Sequence, residues 1–192
     1  MLLVVGSIAK GIGFIALLGG GGQYFAGGPG CTEPSRAPGY SDAIAGGYRY
    51  ECVTEIPNVD MGFDSTYEVQ GVTDPLNKTI TILDTPNTET FIQAHETAHA
   101  LADIYQDLTA QAYYLAHTGL DHWESTSADD YFDSGSESFA ETYAICSLGV
   151  RAIHVPLTSF TVLLGSHWDV AEYRLGSCDV VNTTLQMMKH PS

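Results

Sequence analysis

The chain has 192 residues, with 23 Asp and Glu against seven Lys and Arg, a formal charge of −16. That balance argues against binding nucleic acid or an anionic membrane surface. Hydrophobic residues make up 44% and charged residues 16%, a composition that excludes a disordered chain and suits one globular domain with an ordinary core.

Residues 1–28 are glycine-rich and apolar, and Lys10 is their single charged side chain. The apolar run 11–18 is too short for a spanning helix, which needs about 20 apolar residues. Behind a basic residue it resembles the core of a secretory signal, with small residues around Ala26, Gly27 and Gly28 for cleavage. Counted from Met1, the same stretch also reads as a membrane anchor or as an internal element of the fold. The expectation is a signal peptide or anchor over 1–28 and a single domain over 29–192, exported or held at a cell surface. Any contact with a membrane would then run through that N-terminal segment.

Residues 19–47, rich in Gly, Pro, Ser and Ala, read as a loop or loosely packed lead-in. Cys31, Cys52, Cys146 and Cys178 form no C-x-x-C pair, which argues against a zinc knuckle or a thioredoxin-type site. An even number in an exported chain suggests two disulfides, and pairing Cys31 with Cys52 and Cys146 with Cys178 closes the shortest loops. Asn77-Lys-Thr and Asn182-Thr-Thr match glycosylation acceptors.

From residue 67 to 73, and again from 78 to 83, apolar and polar residues alternate around Asp74-Pro-Leu-Asn77, which predicts a β-hairpin. Thr85-Pro86 supplies an N-cap hydroxyl and a first-turn proline for a helix running to Tyr105. A second helix is expected over 108–116. An acidic, serine-rich loop over 125–134 follows, then a helix over 135–148 closed by Gly149, and a last helix over 179–189. Strands followed by packed helices indicate an α+β domain.

The first long helix carries His95-Glu96-Thr97-Ala98-His99, an H-E-x-x-H pattern. Four-residue spacing places both imidazoles on one face, one turn apart, where they can reach a single ion. Glu96 is offset by about 100°, placed to touch a water beside that ion without ligating it. A catalytic zinc takes three protein ligands and keeps one position open. A third ligand six residues beyond His99, with glycine midway, is absent, because Tyr105 and Ala102 stand there. The other common source is a glutamate on a later helix, and Glu137 and Glu141 share a face of the helix over 135–148. One can bind the ion while the other accepts a hydrogen bond from the outer nitrogen of a ligand histidine.

The pair H-E-T-A-H and E-S-F-A-E resembles the gluzincin zinc metallopeptidases, the group that includes thermolysin and shorter toxin-type enzymes. The likeness covers residues 91–145. It implies a zincin-like fold, a zinc ion held by His95, His99 and Glu137, Glu96 as general base, and Glu141 as the residue orienting a histidine, His95 first. It also implies that the strand over 78–83 is a substrate-binding edge that pairs with an extended peptide. The oxyanion needs a donor besides the metal; Tyr131 is the first candidate, with His154 and His167 behind it. His117, His122 and His190 read as surface or loop residues, and Trp123 and Trp168 as core or cleft lining.

The expected function is therefore a secreted zinc endopeptidase acting on peptide or protein substrates. The alternatives are a noncatalytic surface, virion or secreted binding protein that keeps the fold and metal, and a hydrolase of non-peptide amides.

Overall fold

The computed structural model describes residues 5–8, 12–17, 37–56, 69–84, 90–125, 133–148 and 175–191. They form a mixed α/β architecture, with a sheet on one side of a buried helix and further helices on the other. The strands are β1 (Val5–Ile8), β2 (Ile12–Leu17), β3 (Arg49–Val53), β4 (Val69–Asp74) and β5 (Thr79–Leu83). The helices are α1 (Tyr40–Ala45), α2 (Thr90–Tyr105), α3 (Leu108–Thr118), α4 (Gly135–Ser147) and α5 (Cys178–Lys189).

The hairpin read from the alternating pattern is β4–β5, antiparallel, with Gly71 opposite Ile82 and Thr73 opposite Ile80. Asp74 shapes its turn: one carboxylate oxygen accepts from the backbone N–H groups of Leu76 and Asn77. Residues directly opposite on antiparallel strands point to the same side of the sheet. Gly71, Thr73, Ile80 and Ile82 therefore form one face, all four are buried, and α2 packs on it.

Strand order is β1-β2-β4-β5-β3, and it corrects the expected substrate edge. Strand β5 has β4 on one side and, in parallel pairing, β3 on the other. Its backbone donors and acceptors are engaged on both sides, so no peptide can add to it without displacing a neighbour. Strand β3 has no clear alternation (two of its five residues are half-buried and three exposed), which is why the sequence pattern does not announce it. The lead-in read as loop contains α1, one and a half turns that begin after a left-handed Gly39. Two stretches of segment 1–28 form β1 and β2, and β2 pairs antiparallel with β4. No helix among the described residues is long and apolar enough to cross a membrane.

The helical core joins Ala98, Leu101 and Ala102 of α2 to Tyr114 of α3, Phe139, Ala140 and Tyr143 of α4, and Val181 and Met188 of α5, with Trp123 from the loop before α4. Asp107 caps α3 and Ser177 caps α5, each accepting from a backbone N–H three residues on. Residues 85–89, which hold the expected cap of α2, and Gly149 lie outside the described residues. A disulfide joins Cys146 at the end of α4 to Cys178 at the start of α5, with Cα atoms 5.5 Å apart. Closing a loop of 32 residues stabilises the fold by about 3–4 kcal/mol on loop entropy. Cys52 is also disulfide-bonded; its expected partner Cys31 lies outside the described residues.

Candidate metal centre

Every residue of α2 from Phe91 to Ala102 is buried, because the sheet covers one side of the helix and α4 the other. A helix in that position is normally apolar all round, yet this one buries Gln93, His95, Glu96, Thr97 and His99. Each such group is costly unless something satisfies it. Thr97 is satisfied locally: its hydroxyl donates to the Gln93 carbonyl and receives a bond from the Tyr50 hydroxyl, both at 2.5 Å. The last turn is tied to the sheet through Asp103, whose carboxylate accepts from Tyr48 at 2.7 Å and pairs with Lys78.

His95 and His99 lie one turn apart, their rings edge-on, with their Nε2 atoms 3.0 Å from each other. Helix α4 brings Glu137 opposite them. Ser134 caps α4 by accepting from the Glu137 N–H, which places Glu137 in the first turn, where the helix dipole favours a carboxylate. Its Oε2 lies 3.5 Å from His95 Nε2 and 3.5 Å from His99 Nε2. One turn later, Glu141 Oε2 is 3.1 Å from His95 Nδ1. With that proton on Nδ1, the lone pair of the neutral imidazole sits on Nε2 and points at the other two atoms.

A tetrahedral ion with bonds of about 2.0–2.1 Å holds its ligand atoms about 3.3 Å apart. The triangle here has edges of 3.0, 3.5 and 3.5 Å. A proton on His99 Nε2 can satisfy one of those edges, whereas a cation satisfies all three. The buried group His95, His99 and Glu137 can therefore hold a metal ion, and it is the one such group among the described residues.

Burial sets the protonation of the neighbours. Desolvation pushes the His99 pKa well below the usual imidazole value, which keeps the ring in the neutral form that ligates. Glu96 is pushed well above the usual carboxyl value, first by burial and then by the like charge of Glu137; the Thr73 hydroxyl opposes both. A cation between the ligands would favour the ionised form of Glu96. Glu96 Oε2 accepts from Thr73 at 2.7 Å, while Oε1 is buried and has no hydrogen-bond partner among the described residues.

The structure thus gathers His95, Glu96, His99, Glu137 and Glu141 in one buried cluster. Tyr131, His154, His167 and Trp168 lie outside the described residues. His117 and His190 are exposed, His122 is half-buried and Trp123 is buried in the helical core. Thr73 and Gly71, which also line the cluster, were not singled out by the sequence pattern. The available signal was a glycine inside a β-alternation, which marks a close approach by another part of the chain. Comparison of the chain with protein-family models, curated proteins and solved structures finds no match. The reading of this site therefore stands on its own residues.

Proposed function

We propose that the chain is a zinc-dependent peptidase of zincin-like α+β architecture, with His95, His99 and Glu137 as ligands and Glu96 as general base. Two histidines and one carboxylate are a donor set that suits zinc in hydrolytic sites. The observation that carries the reading is Glu96. It is buried beside the three proposed ligands, hydrogen-bonded through one oxygen and without a hydrogen-bond partner at the other among the described residues. A structural zinc site usually has four protein ligands and no use for such a carboxylate. That disfavours the binding-protein alternative.

Zinc held there would supply Lewis acidity, polarising a carbonyl and lowering the pKa of water to about 7. Glu96 Oε1 accepts a proton from the water whose oxygen attacks the scissile carbon, then delivers it to the departing amine nitrogen as the C–N bond breaks. Glu141 holds His95 in the tautomer that leaves Nε2 free for the ion. Burial excludes bulk water from the cluster, so each of these charges acts at full strength. Tyr131 is the proposed donor to the oxyanion. The disulfides support an exported protein, since such bonds persist in oxidising compartments.

Zinc content and hydrolysis of casein, measured on oxidised full-length protein, test this reading. One zinc per chain and cleavage that stops with 1,10-phenanthroline and returns with added zinc are expected. Zinc-loaded protein that cleaves neither casein nor a mixed peptide library would leave a metal-bearing binding protein instead.

A further inference from the structure

Glu96 belongs to α2, but its side chain is shaped by β4. Alternation along β4 sends Gly71 and Thr73 to the same side, towards α2. Thr73 is fully buried, and its hydroxyl is 2.7 Å from Glu96 Oε2 and 2.8 Å from the Glu96 carbonyl oxygen. Gly71 leaves a gap two residues away. A Cβ at that position would lie 2.8 Å from Glu96 Cγ and 2.9 Å from Glu96 Oε1, closer than side-chain atoms pack. The same Cβ would lie 2.8 Å from Ile92 Cγ2, so a larger residue at 71 forces Glu96, Ile92 or β4 to shift, and the Glu96 resonance reports which of them gives.

The geometry points to Gly71 and Thr73 as positioning residues for Glu96: β4 provides a gap that admits the side chain and a hydroxyl that ties Oε2, so that Oε1 is the oxygen presented to the reacting water. This rests on the peptidase reading. A glutamate has three rotatable bonds, and a general base works only within hydrogen-bond reach of its proton. A displacement of about 1 Å can cost on the order of 100-fold in rate. Neither residue touches a ligand of the metal in any contact described above, so the effect belongs to the base and not to the ion.

The test uses full-length zinc-loaded protein and the variants Thr73→Val, Thr73→Ser and Gly71→Ala. Zinc content, kcat and KM are measured on each, together with the Glu96 side-chain carboxyl resonance in protein labelled with 13C at glutamate Cδ and assigned through Glu96→Gln. Thr73→Val keeps the shape of the side chain and removes the hydroxyl. It should retain zinc and KM, lose kcat about 10- to 100-fold and move the Glu96 resonance. Thr73→Ser should restore most of both. Gly71→Ala should retain zinc and lose kcat about 100-fold, with its own displaced resonance. An unmoved Glu96 signal in Thr73→Val, or a serine variant no better than valine, overturns the assignment. So does a kcat loss that only follows zinc loss. If Thr73→Val does not fold, Gly71→Ala decides by the same readouts. If wild-type protein loaded with zinc hydrolyses nothing, the peptidase reading falls by itself, and the resonance still decides whether β4 positions Glu96.

Discussion

Helix α4 carries two polar pairs at the same four-residue spacing, one residue out of step, and the fold treats them differently. Ser138 and Thr142 turn to α3, where the Tyr114 hydroxyl lies 2.8 Å from Ser138 Oγ and 3.2 Å from Thr142 Oγ1. The Gly176 N–H reaches both Tyr114 and Thr142, and Thr142 donates to the Ser138 carbonyl. That cluster is closed, with each hydroxyl meeting protein partners. Glu137 and Glu141 turn to α2, where three ligand atoms converge within 3.5 Å and Glu96 Oε1 has no partner among the described residues. Equal burial therefore does not mean equal purpose. Polar groups that saturate one another fix a helix, while two imidazole nitrogens and a carboxylate oxygen gathered at one point can also hold a cation.

The strongest way to break this contrast is at neighbouring positions. Glu137→Ala should yield protein that purifies nearly free of zinc, whereas Ser138→Ala should keep its zinc. Metal analysis after dialysis reads both, and a fully loaded Glu137→Ala would remove Glu137 from the ligand set. Next in size is Glu96→Gln, which should keep the zinc and the melting temperature but lose hydrolysis by about 10²- to 10⁴-fold. Wild-type turnover in that variant would mean that the proton goes elsewhere. Glu141→Ala removes the partner of His95 Nδ1 and not a ligand, so zinc affinity should fall about 10- to 100-fold and not vanish. A competition titration against a chelating dye measures that difference.

What the sequence could and could not reveal divides along the same line. Both i, i+4 pairs of the buried His/Glu cluster were legible because helical period alone puts such residues on one face, whatever surrounds the helix. Glu137 and Glu141 could not be ordered by spacing; the structure separates them, with Oε2 of Glu137 facing both Nε2 atoms and Glu141 facing Nδ1. The order of the strands was not legible. Alternation identifies β4 and β5 as strands, but pairing is decided by tertiary packing, so β5 lies inside the sheet where an edge was expected. The strands Val5–Ile8 and Ile12–Leu17 were not legible, because glycine-rich apolar sequence suits several environments. Thr73 stayed hidden because threonine in a strand is ordinary, and only its distance to Glu96 distinguishes it.

Acidity and alkalinity should sharpen the open side further, in protein stripped of metal. Buried His99 stays neutral on folding, below an ordinary value of 6.5, and buried Glu96 stays protonated above an ordinary value of 4.5. Below pH 4.5 the unfolded chain holds protons on both groups and the folded chain on Glu96 alone, so acidification destabilises. Between 4.5 and 6.5 the two contributions oppose each other, since His99 favours the folded state as pH rises and Glu96 as it falls. Above 6.5 the unfolded chain holds none while folded Glu96 keeps its own, so rising pH destabilises until Glu96 titrates. Urea midpoints of chelated protein should therefore be highest between about pH 4.5 and 6.5 from these two groups. In chelated Glu96→Gln the loss above pH 6.5 should disappear. Its persistence would assign the alkaline limb to another group.

The smallest expected effect lies on the closed side and is the most direct control. Tyr114→Phe keeps the ring that packs edge-on against Trp123 and Phe139 and deletes only the hydroxyl. The partners left behind are partly served by one another: the Gly176 N–H retains Thr142 at 3.1 Å, and Thr142 retains the Ser138 carbonyl at 2.7 Å. The cost should therefore be near the lower end for a buried hydrogen bond, about 1 kcal/mol, or about 2–4 °C in Tm for a domain of this size. Zinc content, KM and kcat should match wild type, because the hydroxyl's partners are Ser138, Thr142 and Gly176 and none of them belongs to the His95, His99 and Glu137 group. A Tyr114→Phe protein with normal stability but weakened zinc would show that the two faces of α4 are coupled, and the contrast between a closed and an open cluster would fail.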